Sequence, residues 1–160
     1  MSKEDVLEKI IAALSDDLAL FTQAARIAHA AATHAECLPD NKYDTTALEA
    51  SYVAQGQANR AQDIKRALES YRNLLLRPFD DTVPIRLTAL ITVEAEDGSD
   101  RCFFLGPAAG GLKLSIEGGE CIVITPESTL GRALLGKCCG DELQIGNGAA
   151  RKTFTITAVS

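Results

Sequence analysis

RPFDDTVPIRLTALITVEA, Arg77 to Ala95, is the stretch in which the chain changes its period. Pro78 ends a helix, because it lacks an N–H donor and its ring clashes with the preceding turn. From Ile85 the apolar residues Ile85, Leu87, Ala89, Ile91, Val93 and Ala95 fall on alternate positions, with Arg86, Thr88, Thr92 and Glu94 among those between them. That alternation predicts a strand with one buried face. Upstream the period is helical. Leu7, Ile11, Leu14, Leu18, Phe21, Ala25, Ala28 and Ala32 recur at steps of three and four, which lays an apolar stripe along a helix. A second helix is predicted from Thr46 to Leu75, with Leu48, Tyr52, Ala58, Ala61, Ile64, Leu68, Tyr71 and Leu75 on its stripe. Thr45 or Thr46 with Glu49 supplies a capping arrangement for it.

Each helical run is roughly 45 Å long at the usual rise per residue. Two such runs joined by a short polar segment predict an antiparallel helical hairpin, or coiled coil. Its stripes thin to alanine near the connection, which allows the helices to approach closely there. Stripes this narrow do not make a globular core, so the hairpin is expected to project from a second domain. The predicted division is a hairpin over 1–77, a linker over 78–84 and a sheet domain over 85–160.

Within the sheet domain, EDGSD (residues 96–100) reads as a tight turn and Cys102–Leu105 as the returning strand. Leu112–Ile116 and Cys121–Ile124 form a hairpin across EGG, and Thr129–Leu135 is a short helix stopped at Gly136. Glu142–Ile145 and Lys152–Val159 are the last strands, with Phe154, Ile156 and Ala158 expected on one side. The fold class is therefore α+β: a helical hairpin, then a small antiparallel sheet with one short helix against it.

Composition narrows the function. The net charge of -6 argues against a free-standing nucleic-acid binder. No apolar run is long enough to cross a membrane, and MSKEDVLEK lacks a signal-peptide core, so a cytoplasmic location is expected. The five cysteines are odd in number and include no C-x-x-C pair, and the adjacent Cys138 and Cys139 are poorly spaced for zinc. Reduced thiols serving as small hydrophobes are expected. His29 and His34, five residues apart, do not share a metal-binding face. Gly110-Gly111 and Gly118-Gly119 read as turns rather than phosphate loops.

The connection between the helices, HAECLPDNKYDTTALEASY (His34–Tyr52), gathers Glu36, Asp40 and Asp44 around Pro39 and Asn41. A solvated polar turn is the plain reading, since charges at loop tips are common. Tyr43 reads as a clamp for the turn or a contact to substrate, and Tyr52 and Tyr71 as packing residues. Arg60, Lys65, Arg66 and Arg72 give the second helix a basic outer side, which most simply is a solvated face.

ITPESTLGRALLGKCCGDEL, Ile124 to Leu143, resembles the C-terminal signature of the bacterial Gre transcript-cleavage factors. Ser128, Leu130, Gly131, Arg132, Ala133, Leu134, Leu135, Gly136, Lys137, Gly140 and Asp141 carry the resemblance. Asp40-Asn41 followed by Tyr43 resembles the acidic-Asn-x-x-Tyr element at the tip of that family's hairpin. The order of parts matches as well, and the resemblance implies an FKBP-like sheet domain. It also implies a transcription elongation factor whose partner is RNA polymerase. The sheet domain would dock through Ser128, Thr129, Leu130 and Arg132, with Asp141 and Glu142 as further candidates. The hairpin would enter the secondary channel, where Asp40, helped by Glu36, Asp44 and Asn41, would join a Mg2+ shared with the polymerase active centre. The transcript would be reached only through that complex, with no tightly bound cofactor, no free DNA binding and no catalysis by the chain alone. Magnesium takes oxygen ligands, which suits such carboxylates.

Two positions depart from the family pattern. Cys37 falls where the first tip acid should be, and the adjacent Glu36 points about 100° away on a helix. Thr129 replaces the proline after serine. Both fit a divergent regulator of polymerase. The competing expectations are a channel-occupying inhibitor without cleavage stimulation, an FKBP-like protein-binding module, a prolyl isomerase or chaperone, and a helix-mediated dimer. A regulator of nucleoside diphosphate kinase shares the general plan with a much shorter hairpin. An isomerase pocket would need aromatic walls, for which this half offers only Phe103, Phe104 and Phe154.

Overall fold

The computed structural model describes residues 1–37 and 46–160. Two helices come first, α1 (Lys3–Cys37) and α2 (Thr46–Arg72). Six strands follow: β1 (Leu90–Ala95), β2 (Asp100–Leu105), β3 (Lys113–Ile116), β4 (Gly119–Ile124), β5 (Glu142–Ile145) and β6 (Lys152–Val159). The short helix α3 (Thr129–Leu134) lies between β4 and β5, and a 3-10 turn, Gly148–Ala150, precedes β6. The chain divides into two compact units, one of residues 11–69 and one of residues 1–10 with 70–160.

The sheet order is β3-β4-β2-β1-β6-β5. It is mixed rather than wholly antiparallel, because β2 and β4 run parallel, with Cys102 opposite Cys121 and Phe104 opposite Val123. The loop after β2 and the tight β3–β4 hairpin form the crossover that a parallel pair requires. The hairpins expected at Asp97-Gly98 and Gly118-Gly119 both form, and Gly98 and Gly118 adopt the positive φ such turns demand.

The predicted strand from Ile85 begins only at Leu90. Ile85, Thr88 and Ala89 are buried, yet Thr88 stands at φ 79°, which breaks extended structure. That conformation is costly for a β-branched residue. It is held by three hydrogen bonds: Thr88 N–H donates to Leu105 O (2.8 Å), Leu105 N–H to Ala89 O (2.9 Å), and Arg77 N–H to the Thr88 hydroxyl (3.0 Å). On β6 the alternation shifts phase. Thr92 opposes Ala158 while Val93 opposes Ile156, so Thr157 is the extra residue of a bulge. Ala158 is consequently exposed and Val159 joins Phe154 and Ile156 in the core.

Both faces of the sheet are covered. One face carries Ile91, Val93, Phe103, Leu105, Ile124, Leu143, Phe154, Ile156 and Val159, packed with Ile85 and with Leu134 of α3. The opposite face of β2, β4 and β3 carries Phe104, Val123, Cys121 and Leu114, also buried. Its cover comes from the start of α1 and the end of α2. Val6, Ile10 and Tyr71 are buried, Lys9 Nζ donates to Ser115 O (3.0 Å), and the Tyr71 hydroxyl donates to Ala108 O (2.6 Å). Gly106 leaves room for this ring, since a Cβ there would lie 2.0 Å from the Tyr71 oxygen. The Lys3 ammonium sits 4.6 Å from the Phe79 ring centre and donates to Arg77 O.

In the other unit Leu14, Ala32, Ile64, Ala67 and Leu68 are buried. The α1 stripe is thus entered one residue earlier than its sequence suggests, through Val6 and Ile10 rather than Leu7 and Ile11. Tyr52 and Leu48, expected to pack, are exposed, as is Leu75, which lies beyond the end of α2.

Burial raises the Tyr71 pKa, and its hydrogen bond to Ala108 opposes this only in part. A raised folded-state pKa means stability present at neutral pH and lost as pH rises above the unfolded tyrosine value of about 10. Tyr71→Phe removes the hydroxyl and leaves Ala108 O without this donor, a loss of about 1–2 kcal/mol by urea denaturation at pH 7. The same variant should lose much of the wild-type decline in stability between about pH 10 and 12; an unchanged alkaline profile would show that Tyr71 is not its source.

Candidate functional site

The signature segment folds as a clamp around α3. Ser128 is the N-cap: its hydroxyl accepts from Gly131 N–H (3.0 Å) and donates to Thr125 O (2.7 Å). A side chain at position 131 is sterically blocked, because a Cβ would lie 1.9 Å from Thr125 O. At the other end, Gly136 at φ 81° donates to Ile85 O (2.9 Å), and Ile85 N–H donates to Lys137 O (2.8 Å). Asp141 closes the following turn. Its carboxylate accepts from Cys138 N–H (2.8 Å), its N–H donates to Cys138 O (3.1 Å), and its carbonyl accepts from Ile156 N–H (2.9 Å).

Of the proposed docking residues, then, Ser128 is occupied in holding the helix and Leu130 is half-buried against the core. Thr129 and Arg132 are exposed and, three residues apart, share one side of α3. Leu135, at 38% exposure, adds an apolar surface just beyond the helix. Asp141 serves the turn, while Glu142 is exposed at the start of β5.

Glu36 belongs to the last turn of α1, and Cys37 ends that helix. Asp40, Asn41, Tyr43 and Asp44 lie outside the described residues, so the expected metal ligand Asp40 has no geometry here. Among the described residues no group of three His, Cys, Asp or Glu side chains is arranged to hold a metal.

Three of the stripe alanines, Ala25, Ala58 and Ala61, line a groove, while Ala32, nearer the connection, is buried. The groove measures about 600 Å³ and is bordered by Ala25, Ala54, Ala58 and Ala61, with Arg26, His29 and Lys65 supplying its basic groups. The basic side of α2 is partly engaged. The Arg60 guanidinium lies 5.8 Å from the Phe21 ring centre, and Arg66 approaches Asp63 at 4.0 Å. Phe103, Phe104 and Phe154 are buried in the sheet, so none walls an open substrate pocket.

No protein-family model matches the sequence, and no curated protein matches it. Solved structures do. Its similarity is to Gre-type transcription factors. A structure of the transcription factor Gfh1 aligns at 18% identity and TM-score 0.42, covering 94% of this chain and 93% of that one. GreA factor homolog 1 (Gfh1) of Thermus thermophilus aligns at 17% identity and TM-score 0.38, over 94% of each chain. The GreA/GreB elongation factor from Nitrosomonas europaea aligns at 20% identity and TM-score 0.39, covering 66% of this chain and 79% of that one. Similarity at this level is silent on activity. No helix among the described residues is long and apolar enough to cross a membrane.

The clamp makes a separable prediction. Gly131→Ala forces backbone apart and should cost about 1–3 kcal/mol or more, and Ser128→Ala about 1 kcal/mol. Arg132→Ala, on the exposed side, should stay within about 0.5 kcal/mol of the parent. Thermal melts of the three variants check the order; equal losses would mean that α3 is not held as described.

Proposed function

We propose that the chain is a Gre-like regulator of transcription elongation that binds RNA polymerase. In this reading Thr129, Leu130 and Arg132 form the docking surface, Ser128 sets its geometry, and the segment joining α1 to α2 enters the secondary channel. The observation that carries the proposal is the division of labour within Ile124–Leu143. Ser128, Gly131, Gly136 and Asp141 hold the backbone, which leaves Thr129 and Arg132 presented to solvent. Helices of 35 and 27 residues supply the long hairpin the reading requires. Burial of the domain's aromatics weighs against the isomerase alternative.

Asp40, with Glu36 or Asp44, would add carboxylate oxygen to a magnesium ion held by the polymerase, consistent with that ion's preference for oxygen ligands. Occupancy of the channel without cleavage is the second reading. It is favoured by Cys37, a thiol where the resembling family has its first tip acid.

Binding to core polymerase and RNA cleavage in backtracked complexes with magnesium separate these readings. Wild type should bind, and Arg132→Ala should weaken binding about tenfold, the effect of losing roughly 1.4 kcal/mol at an interface arginine. Asp40→Ala should bind normally and lose cleavage stimulation. Binding with no cleavage from the wild type would select the inhibitor reading, and absence of binding would overturn both.

A further inference from the structure

Cys102 and Cys121 are direct register partners in the parallel β2–β4 pair. Register partners on neighbouring strands point to the same face, and the strands run about 4.8 Å apart. A disulfide accommodates Cα separations of roughly 4.4–6.8 Å, so the two positions can be bridged with little backbone movement. Their surroundings differ. Cys121 is fully buried, opposite Leu114 on β3, whereas Cys102 is half-buried and retains access to solvent. The other described thiols face elsewhere: Cys138 Sγ donates to Thr82 O (3.8 Å) and Cys139 Sγ to Thr157 O (3.3 Å).

We propose that Cys102 and Cys121 are a redox-modification site, a dithiol that a peroxide converts reversibly to a cross-strand disulfide joining β2 to β4. Cys102 retains access to solvent whereas Cys121 is fully buried, so Cys102 is the thiol that meets the oxidant and Cys121 the resolving thiol. In the first step the Cys102 sulfur attacks one oxygen of hydrogen peroxide. The O–O bond breaks, an S–O bond forms, and the departing hydroxide takes a proton from solvent to become water. In the second step the Cys121 sulfur attacks the sulfenic sulfur of Cys102. The S–S bond forms, the S–O bond breaks, and the Cys121 proton leaves with the oxygen as a second water. The two thiols together supply the two electrons that reduce the peroxide. A dithiol reductant reverses the change by thiol–disulfide exchange.

The sequence makes the test direct, because trypsin cuts after Arg101, Lys113 and Arg132 and so places Cys102 and Cys121 in separate peptides. Folded, fully reduced protein is treated with hydrogen peroxide, its remaining thiols are blocked, and it is digested with and without dithiothreitol. The expected result is a loss of two of the five thiols and a linked peptide pair, 102–113 with 114–132, that disappears on reduction. Oxidation in urea serves as the control and should scatter the pairing. Cys121→Ser, whose folding is checked by circular dichroism, should leave Cys102 as a sulfenic acid trapped by dimedone. If the folded protein yields no 102–121 link, or no more of it than the urea-treated chain, the proposal fails whatever the variant does.

Discussion

Phe103 and Phe104 are consecutive on one strand and both are buried. Consecutive strand residues face opposite sides, so β2 has to be covered twice. The rest of the architecture answers that requirement. One side packs in a common core with Ile85, with Leu134 of α3 and with the inner residues of β1, β6 and β5. The other is closed by residues from the helical half of the sequence, Val6, Ile10 and Tyr71. Each such side chain is worth about 1.5–3 kcal/mol when fully removed from water. The covering turns are therefore part of the sheet's stability.

The same logic sorts the residues of Ile124–Leu143. Some are fixed by backbone geometry and others are left exposed. Gly131 and Ser128 fix the entry to α3, Gly136 fixes its exit, and Asp141 fixes the next turn. None of these is spare. Thr129 and Arg132 make none of these hydrogen bonds and are exposed. The residues that set the backbone of this segment and the residues it presents to solvent are therefore different side chains.

Much of this was legible in the sequence, for identifiable reasons. The change from helical to alternating period, the Asp97-Gly98 and Gly118-Gly119 turns, and the short helix stopped at Gly136 are local signals, and local chemistry satisfies them. What was not legible depends on distant partners. Nothing in the short apolar runs of β2 and β4 states that they run parallel. The phase of the α1 stripe is chosen by the surface it meets, which moves burial onto Val6 and Ile10. The bulge at Thr157 arises from its pairing with β1, and the left-handed Thr88 is held by Leu105 and Arg77. At the candidate site the short helix α3 was foreseen, whereas the groove beside Ala54, Ala58 and Ala61 was not, because alanine spacing does not report a surface groove. Asp40, Asn41 and Asp44 remain a sequence expectation outside the described residues.

The unit that contains the sheet is assembled from residues 1–10 and 70–160, with the intervening helical segment forming a unit of its own. Synthesis therefore delivers Val6 and Ile10 long before Phe104, Val123 and Leu114, the surface they help cover. During elongation Val6 and Ile10 have no sheet surface to cover, and the first half of the chain cannot complete its contacts until β4 has left the ribosome. The order of synthesis and the order of packing are thus opposed at this joint, because Val6 and Ile10 are made first and the surface they cover is made last.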